Sequence, residues 1–111
     1  MTVEQAYELE GLRRAGALVS GILATMREAA VAGAVSRDLD AIGAEMMRAA
    51  GARSAPALTY DFPGATCISI NAVAAHGIPD GTVLRDGDLV NIDVSAELDG
   101  YFADTGGSFV V

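Results

Sequence analysis

The sequence has little that would support a disulfide, a nucleic-acid or a membrane function. It contains a single cysteine, Cys67, which excludes an intrachain disulfide and agrees with a reducing compartment. Lysine and arginine number 7 against 15 acidic residues, and this net charge of −8 argues against nucleic-acid binding. No apolar run approaches the ~20 residues of a membrane span, and the amino terminus lacks the apolar core of a secretory signal. We therefore expect a cytoplasmic protein without a membrane partner.

Aromatic residues are also scarce, with 3 Phe, 3 Tyr and no Trp. Hydrophobic residues nevertheless make up 51% of the chain, which is enough to bury a core and argues against disorder. A chain of 111 residues is the size of one domain. We expect a single domain over residues 1–111 with an aliphatic core.

The first half of the chain predicts two helices. An apolar stripe at spacings of three and four runs through the first, from about Val3 to Ala30. Its members are Leu12, Ala15, Val19, Ile22 and Met26. The second helix is expected to begin at Ser36 as its N-cap and to stop at Gly51. Its apolar stripe consists of Leu39, Ile42, Met46 and Met47. Neither helix carries residues that suggest chemistry, so both are expected to cover a sheet.

Between the helices and the last third, the pattern predicts a loop and then a strand. Two prolines restrict residues Ala55–Pro63, which reads as a loop. Thr66–Val73 alternates in the manner of a strand.

The last part of the chain, Leu89–Val111, predicts a β-hairpin. Apolar residues occupy the even positions from 90 to 98, and polar residues occupy the odd positions from 91 to 97. Asp99-Gly100 suits a two-residue type I′ turn, because both residue types tolerate positive φ. This turn would pair Leu98 with Tyr101, and it would therefore pair Ser95 with Asp104 and Asp93 with Gly106.

That register makes Asp93 and Asp104 diagonal neighbours on one face, with Cα atoms roughly 7–8 Å apart. Gly106 would leave room above Asp93. Carboxylates held this close repel unless a proton or cation separates them, and a divalent metal is the natural occupant. The alternative, favoured for a bare pair, is two solvated aspartates on an exposed face.

Longer motifs surround this pair. The string HGIPD…LRDGDLVNIDVSAELDGYFADT spans His76 to Thr105, and FPGATCISIN spans residues 62–71. Together with AGAVSRDLDAI at the start of the second helix, these motifs resemble the type I methionine aminopeptidases of the pita-bread metallopeptidase family. Related prolidases share the fold and the Asp pair, but NIDV and CISIN…HGIPD are similar to the methionine branch.

The resemblance implies an α+β fold, half of a pita-bread fold, with two helices on a mainly antiparallel sheet that ends in a hairpin. It also implies hydrolytic removal of the amino-terminal methionine from nascent polypeptides, with two divalent metal ions (Co, Mn, Fe or Zn) per complete site. Asp93 and Asp104 match the two aspartate ligands. His76 matches a catalytic histidine that contacts the scissile peptide, although a lone histidine is more often structural.

Other family positions concern the substrate and a second cation. Phe62 and Cys67 match residues that line the pocket for the substrate's first side chain, although both could simply fill the core. Asn71 and Val73 match positions whose backbone oxygens hold a monovalent cation. Pro56 and Thr59 depart from the family pattern, which leaves the substrate preference open.

The family's remaining ligands, one His and two Glu, are expected in a carboxy-terminal half that this sequence does not contain. We therefore expect the amino-terminal half of the enzyme, inactive alone, with metal bound weakly or not at all. Its partner would be the missing half or a second copy of itself. The alternatives are a non-catalytic half-fold that serves as an interaction module, and a fragment of a prolidase-type peptidase.

Overall fold

A computed structural model describes residues 2–60, 63–71 and 77–111. The helices are α1 (Val3–Ala29), α2 (Ser36–Ala50) and α3 (Ala55–Tyr60), and the strands are β1 (Arg53–Ser54), β2 (Cys67–Ile70), β3 (Leu89–Leu98) and β4 (Tyr101–Val110). In the described residues, no helix is both long enough and apolar enough to cross a membrane.

The long strand β3 is the centre of an antiparallel sheet. β4 pairs with it along its whole length, while β1 and β2 pair with different parts of it along the other edge. The turn between β3 and β4 places Asp99 at φ 53° and Gly100 at φ 88°, as a type I′ turn requires. The predicted hairpin and its register, from Leu98 opposite Tyr101 to Asp93 opposite Gly106, are confirmed.

Helix α1 packs on the sheet through its apolar stripe. Thr2 begins the helix with a capping box, in which its hydroxyl accepts from the Gln5 N–H while the Gln5 side chain accepts from the Thr2 N–H. The helix ends at Ala29, close to the predicted end. The core contains the aliphatic residues Ala15, Val19, Ile22 and Met26 of α1 and the even residues Val90, Ile92, Val94 and Ala96 of β3, all at most 1% exposed. Leu12, predicted to belong to this stripe, is instead 50% exposed.

Helix α2 packs beside α1 and buries Leu39 and Met47, as predicted. It ends at Gly51, which adopts a left-handed conformation at φ 74°. The predicted N-cap is wrong by one residue, because Val35 occupies that position and Ser36 begins the helix. The backbone of residues 33–37 runs antiparallel to residues 80–84, and the Ser36 hydroxyl accepts from the Asp80 N–H instead.

Asp40 of α2 joins the helix to the segment that leads into β2. Its carboxylate accepts hydrogen bonds from the N–H groups of Ala65 and Thr66 and from the Thr66 hydroxyl, at 2.6 to 3.2 Å. Thr66 is fully buried, so these bonds satisfy polar groups that have no access to water.

The segment predicted as a loop, Ala55–Pro63, begins with the short helix α3. Pro56 lies in the first turn of this helix, where a missing N–H and a fixed φ are tolerated. The hydroxyl of Ser54 accepts weakly from the Ala57 N–H, as a cap, and donates to the Ala65 carbonyl. The two prolines alone predict a loop, whereas the helix start is signalled by Ser54, a residue type common at N-caps.

Strand β2 is shorter than the predicted Thr66–Val73, because Asn71 turns the chain at φ 56°. Ala72 and Val73 lie outside the described residues. The buried Gly77 is so close to β2 that a Cβ there would meet the Ile68 carbonyl, and its own carbonyl accepts from the Ile68 N–H.

Candidate metal centre on the open sheet face

The sheet has one face covered by helices and one face without them. The odd residues of β3 and the even residues of β4 point away from α1 and α2, and we call this surface the open face. Its residues include Asn91, Asp93, Ser95, Phe102, Asp104, Gly106 and Ser108. The surface is mostly polar, in contrast to the aliphatic side of the same strands.

Asp93 and Asp104 lie on the open face as diagonal neighbours, since their direct partners across the hairpin are Gly106 and Ser95. Both side chains are exposed to solvent. At this separation two carboxylates can converge on one ion from adjacent strands. The sequence prediction that the hairpin brings these two residues together is confirmed by the register.

Gly106 provides the space that the Asp93 side chain occupies. A Cβ placed on Gly106 would lie 2.0 Å from Oδ1 of Asp93, well inside any possible contact. The oxygen therefore lies directly over the glycine backbone, on the β4 side of Asp93. Because Gly106 has no side chain, the Asp93 carboxylate can lie close to β4, the strand that carries Asp104.

Asn91 contributes to this site, although the sequence alone gave it no role. Its amide nitrogen donates to Oδ2 of Asp93 at 2.9 Å, and its amide oxygen accepts from the Ser108 hydroxyl at 2.9 Å. The signal was available, because residues two apart on a strand share a face.

Cys67, predicted to line a substrate pocket, lies on β2 directly opposite Asp93. Its side chain is partly buried. Burial raises the pKa of the Cys67 thiol, and the negative charges of Asp93 and Asp40 raise it further. The thiol is therefore kept neutral at neutral pH, and it presents a small, polarisable apolar surface beside the aspartate pair.

Asn71, predicted as a monovalent-cation position, ends β2 in the left-handed region that asparagine tolerates. Its side chain donates to Asp88 at 3.1 Å and accepts from the Leu89 N–H at 3.0 Å. These contacts fix the turn against the start of β3. The other residue of that prediction, Val73, lies outside the described residues, as do His76 and Phe62.

Glu97 is the acidic residue of the open face that is not available to a ligand. Its side chain is 8% exposed and pairs with Arg53 of β1 at 2.8 Å, while its other oxygen accepts from the Gly100 N–H at 2.6 Å. The Gly100 hydrogen bond, and then the Arg53 hydrogen bond and charge, lower the pKa of Glu97. This carboxylate therefore fastens the hairpin turn to β1.

The donor set fits part of a divalent-metal site. Carboxylate oxygens are the ligands that hard divalent cations prefer, and both aspartates are accessible. Within residues 2–60, 63–71 and 77–111, however, no group of three or more His, Cys, Asp or Glu side chains could hold a metal ion. Two carboxylates leave most of the coordination sphere to water or to other residues.

Comparison of the chain with known proteins identifies its family. The profile of "Metallopeptidase family M24" matches residues 10–111. A methionine aminopeptidase of Staphylococcus epidermidis is 50% identical over 111 residues, covering all of this chain and 44% of that protein. Methionine aminopeptidase 2 of Bacillus subtilis is 49% identical over 112 residues, covering 45% of its length. The chain thus spans less than half the length of these relatives.

Solved structures agree on the fold. Methionine aminopeptidase from Rickettsia prowazekii superposes with a TM-score of 0.87 at 33% identity, over 95% of this chain and 42% of that one. The Thermotoga maritima methionine aminopeptidase gives 0.89 at 28% identity, over all of this chain and 44% of that one. A Pyrococcus horikoshii prolidase, at 22% identity and a TM-score of 0.77, shares the fold.

These findings confirm the resemblance drawn from the motifs and the α+β, pita-bread fold. By its sequence profile and its identity to bacterial methionine aminopeptidases, the chain belongs to metallopeptidase family M24.

Proposed function

We propose that this chain supplies the two aspartate ligands of a methionine aminopeptidase centre, which removes the amino-terminal methionine from nascent polypeptides in the cytoplasm. One observation carries the proposal. The hairpin register makes Asp93 and Asp104 diagonal neighbours on an accessible face, and Gly106 leaves room for the Asp93 carboxylate. The identity of 50% to a methionine aminopeptidase favours this branch over the prolidases.

In this proposal Asp93 and Asp104 would hold divalent metal ions through their carboxylates, and Co, Mn, Fe and Zn are the candidates. When bound, the ions would polarise the scissile carbonyl and activate water. Cys67 supports a pocket beside Asp93 for the methionine thioether, because its neutral thiol adds no charge there.

The roles of three further residues rest on the motifs alone. His76 is proposed to contact the scissile peptide and to stabilise charge that develops on its oxygen. Phe62 is proposed to line the methionine pocket. The backbone oxygens of Asn71 and Val73 are proposed to hold a monovalent cation.

Residues 1–111 are proposed to form one half of the catalytic domain, inactive without further ligands. The described residues offer two carboxylates where a divalent ion takes about six oxygen ligands, so metal binding is expected to be weak. A polypeptide equivalent to the rest of the relatives, or a second copy of the chain, would have to complete the site.

A second candidate function is a non-catalytic interaction module. It is favoured by two exposed apolar residues on the open face, Phe102 at 58% and Val110 at 67%. The described strands also leave the outer edge of β4 unpaired, and such an edge can accept a strand from a partner.

Methionine release from a Met-Gly peptide with Mn²⁺ or Co²⁺ tests the proposal, together with calorimetric metal titration. The expected result is no turnover by the chain alone, and weak metal binding that Asp93→Asn removes. Turnover would contradict the inactive-half proposal. Absence of both turnover and Asp93-dependent binding would favour the interaction module.

A further inference from the structure

A chain of side-chain hydrogen bonds leads along the open face to the carboxylate of Asp93. Ser108 on β4 donates to the amide oxygen of Asn91 at 2.9 Å, and the amide nitrogen of Asn91 donates to Oδ2 of Asp93 at 2.9 Å. Asn91 and Ser108 are direct partners across the hairpin, and Asn91 and Asp93 are two apart on β3. The strand geometry therefore brings all three side chains to one surface.

The direction of each hydrogen bond follows from the chemistry of the groups. An ionised carboxylate can only accept, so the amide of Asn91 must present its NH₂ group to Asp93. Its oxygen then faces Ser108, whose hydroxyl is free to donate. An aspartate at position 91 would place an acceptor against an acceptor, whereas asparagine joins the two sides without conflict.

Gly106 restricts the position of the second carboxylate oxygen of Asp93. Oδ1 of Asp93 lies over the bare backbone of Gly106, where a Cβ would be 2.0 Å away. One oxygen is thus held by the Asn91 amide while the other occupies a space that exists only because residue 106 is glycine. Together these contacts select one orientation of the carboxylate.

We propose that Asn91 and Ser108 are positioning residues that hold the Asp93 carboxylate in the orientation needed to bind metal. This inference rests on the proposed role of Asp93 as a metal ligand. Neither residue would touch the metal. They act by restricting rotation of the Asp93 carboxylate, and they leave its Oδ1 atom beside β4 available to a metal ion.

The test compares Mn²⁺ affinity, folding stability and the Asn91 side-chain amide signals of the full chain and its variants. Ser108→Ala removes the first donor, and Ser108→Thr is the matched control because it keeps a hydroxyl in a strand position. We expect Ser108→Ala to weaken Mn²⁺ binding about threefold to tenfold. Ser108→Thr should stay within about twofold of the original chain. The melting temperature should change little in either variant, because the bond is exposed.

A merely structural role predicts the opposite pattern, in which Ser108→Ala lowers the melting temperature and leaves Mn²⁺ affinity unchanged. That result would overturn the inference. Gly106→Ala disturbs the same carboxylate orientation in a second way, because its added Cβ must displace Oδ1 of Asp93. This variant should therefore weaken Mn²⁺ binding as well.

Nuclear magnetic resonance separates this inference from the proposed function. With no metal present, Asp93→Asn and Ser108→Ala should each shift the Asn91 side-chain amide resonances. Unshifted resonances would overturn the positioning inference without contradicting the proposed metal site. If Asp93→Asn instead leaves Mn²⁺ binding intact, the proposed metal site fails, and the inference fails with it.

Discussion

The helix-covered face and the open face of β3 are made by alternate residues of one strand, yet they differ in composition and in what holds them. Ile92 on the covered face is fully buried in the aliphatic core. Its neighbour Asp93 faces solvent and is held by a side-chain amide. The covered face accounts for folding, whereas the open face has the groups that could bind a ligand.

The difference shows how a strand can serve two purposes with little conflict. Burial of the even residues of β3 fixes its register, because a slip by one residue would exchange the two faces. The same register sets Asp93 beside Gly106. Substitutions on the covered face should therefore change stability, and substitutions on the open face should change metal affinity.

The largest effect on folding stability is expected at Ile92. Replacing it by Ala would remove buried methyl and methylene groups from a site that is 0% exposed, and should lower the free energy of unfolding by about 3 kcal/mol. Asp93→Asn is the matched control on the next residue and should change stability by less than about 0.5 kcal/mol. Urea denaturation would measure both. Equal losses at the two positions would contradict the division between the faces.

A slightly smaller effect on the free energy of unfolding is expected at Asp40, whose carboxylate links α2 to the segment before β2. Asp40→Ala would leave the N–H and hydroxyl of the buried Thr66 without an acceptor, which should cost about 2 kcal/mol. Asp38→Ala, an exposed change in the first turn of the same helix, should cost about 0.5 kcal/mol. The comparison fails if the two variants unfold at the same urea concentration.

The turn that joins the two hairpin strands should show an effect of about 1 kcal/mol. Gly100 has φ 88°, so Gly100→Ala would strain the backbone and destabilise the hairpin. The same substitution at Gly21, an exposed helical position with open space around it, should instead stabilise by up to about 1 kcal/mol. Melting temperatures that move in the same direction for both variants would contradict this account of the turn.

The smallest effect on folding stability is expected from the charge of Glu97, and this effect depends on pH. The Gly100 N–H and then Arg53 lower the pKa of Glu97 below its ordinary 4.5 in the folded state. Stability from this group is therefore present above the ordinary pKa and is lost as pH falls through the folded value. Between about pH 6 and pH 3, the original chain should lose more stability than Glu97→Gln. Parallel pH profiles for the two proteins would rule out this contribution.

Much of the fold could be predicted because its signals are local and periodic. The β3–β4 register followed from alternation and from Asp99-Gly100, and the stop of α2 followed from Gly51. The errors arose where tertiary contacts compete with local signals. The local pattern predicts Ser36 as the N-cap, but its hydroxyl accepts a hydrogen bond from the distant Asp80 N–H. Leu12 fits the helical period, but the buried position of that turn is Gly11, which lies against the Tyr101 ring of β4, and Leu12 is exposed.

For the candidate site, the sequence predicted the aspartate pair and the room left by Gly106. It did not reveal the roles of Asn91 and Ser108, because a hydrogen bond between strands depends on side-chain orientation as well as register. The run Thr105–Ser108 contains two glycines, yet β4 pairs with β3 without interruption through this segment.

The most direct test of the metal centre is a nuclear magnetic resonance titration of the 111-residue chain with Mn²⁺, followed by paramagnetic broadening of backbone amide signals. Broadening is expected to centre on Asp93, Asp104 and Gly106, and to be lost in Asp93→Asn. Broadening spread over the acidic surface, or centred elsewhere and unchanged in Asp93→Asn, would show that the open face is not a metal site.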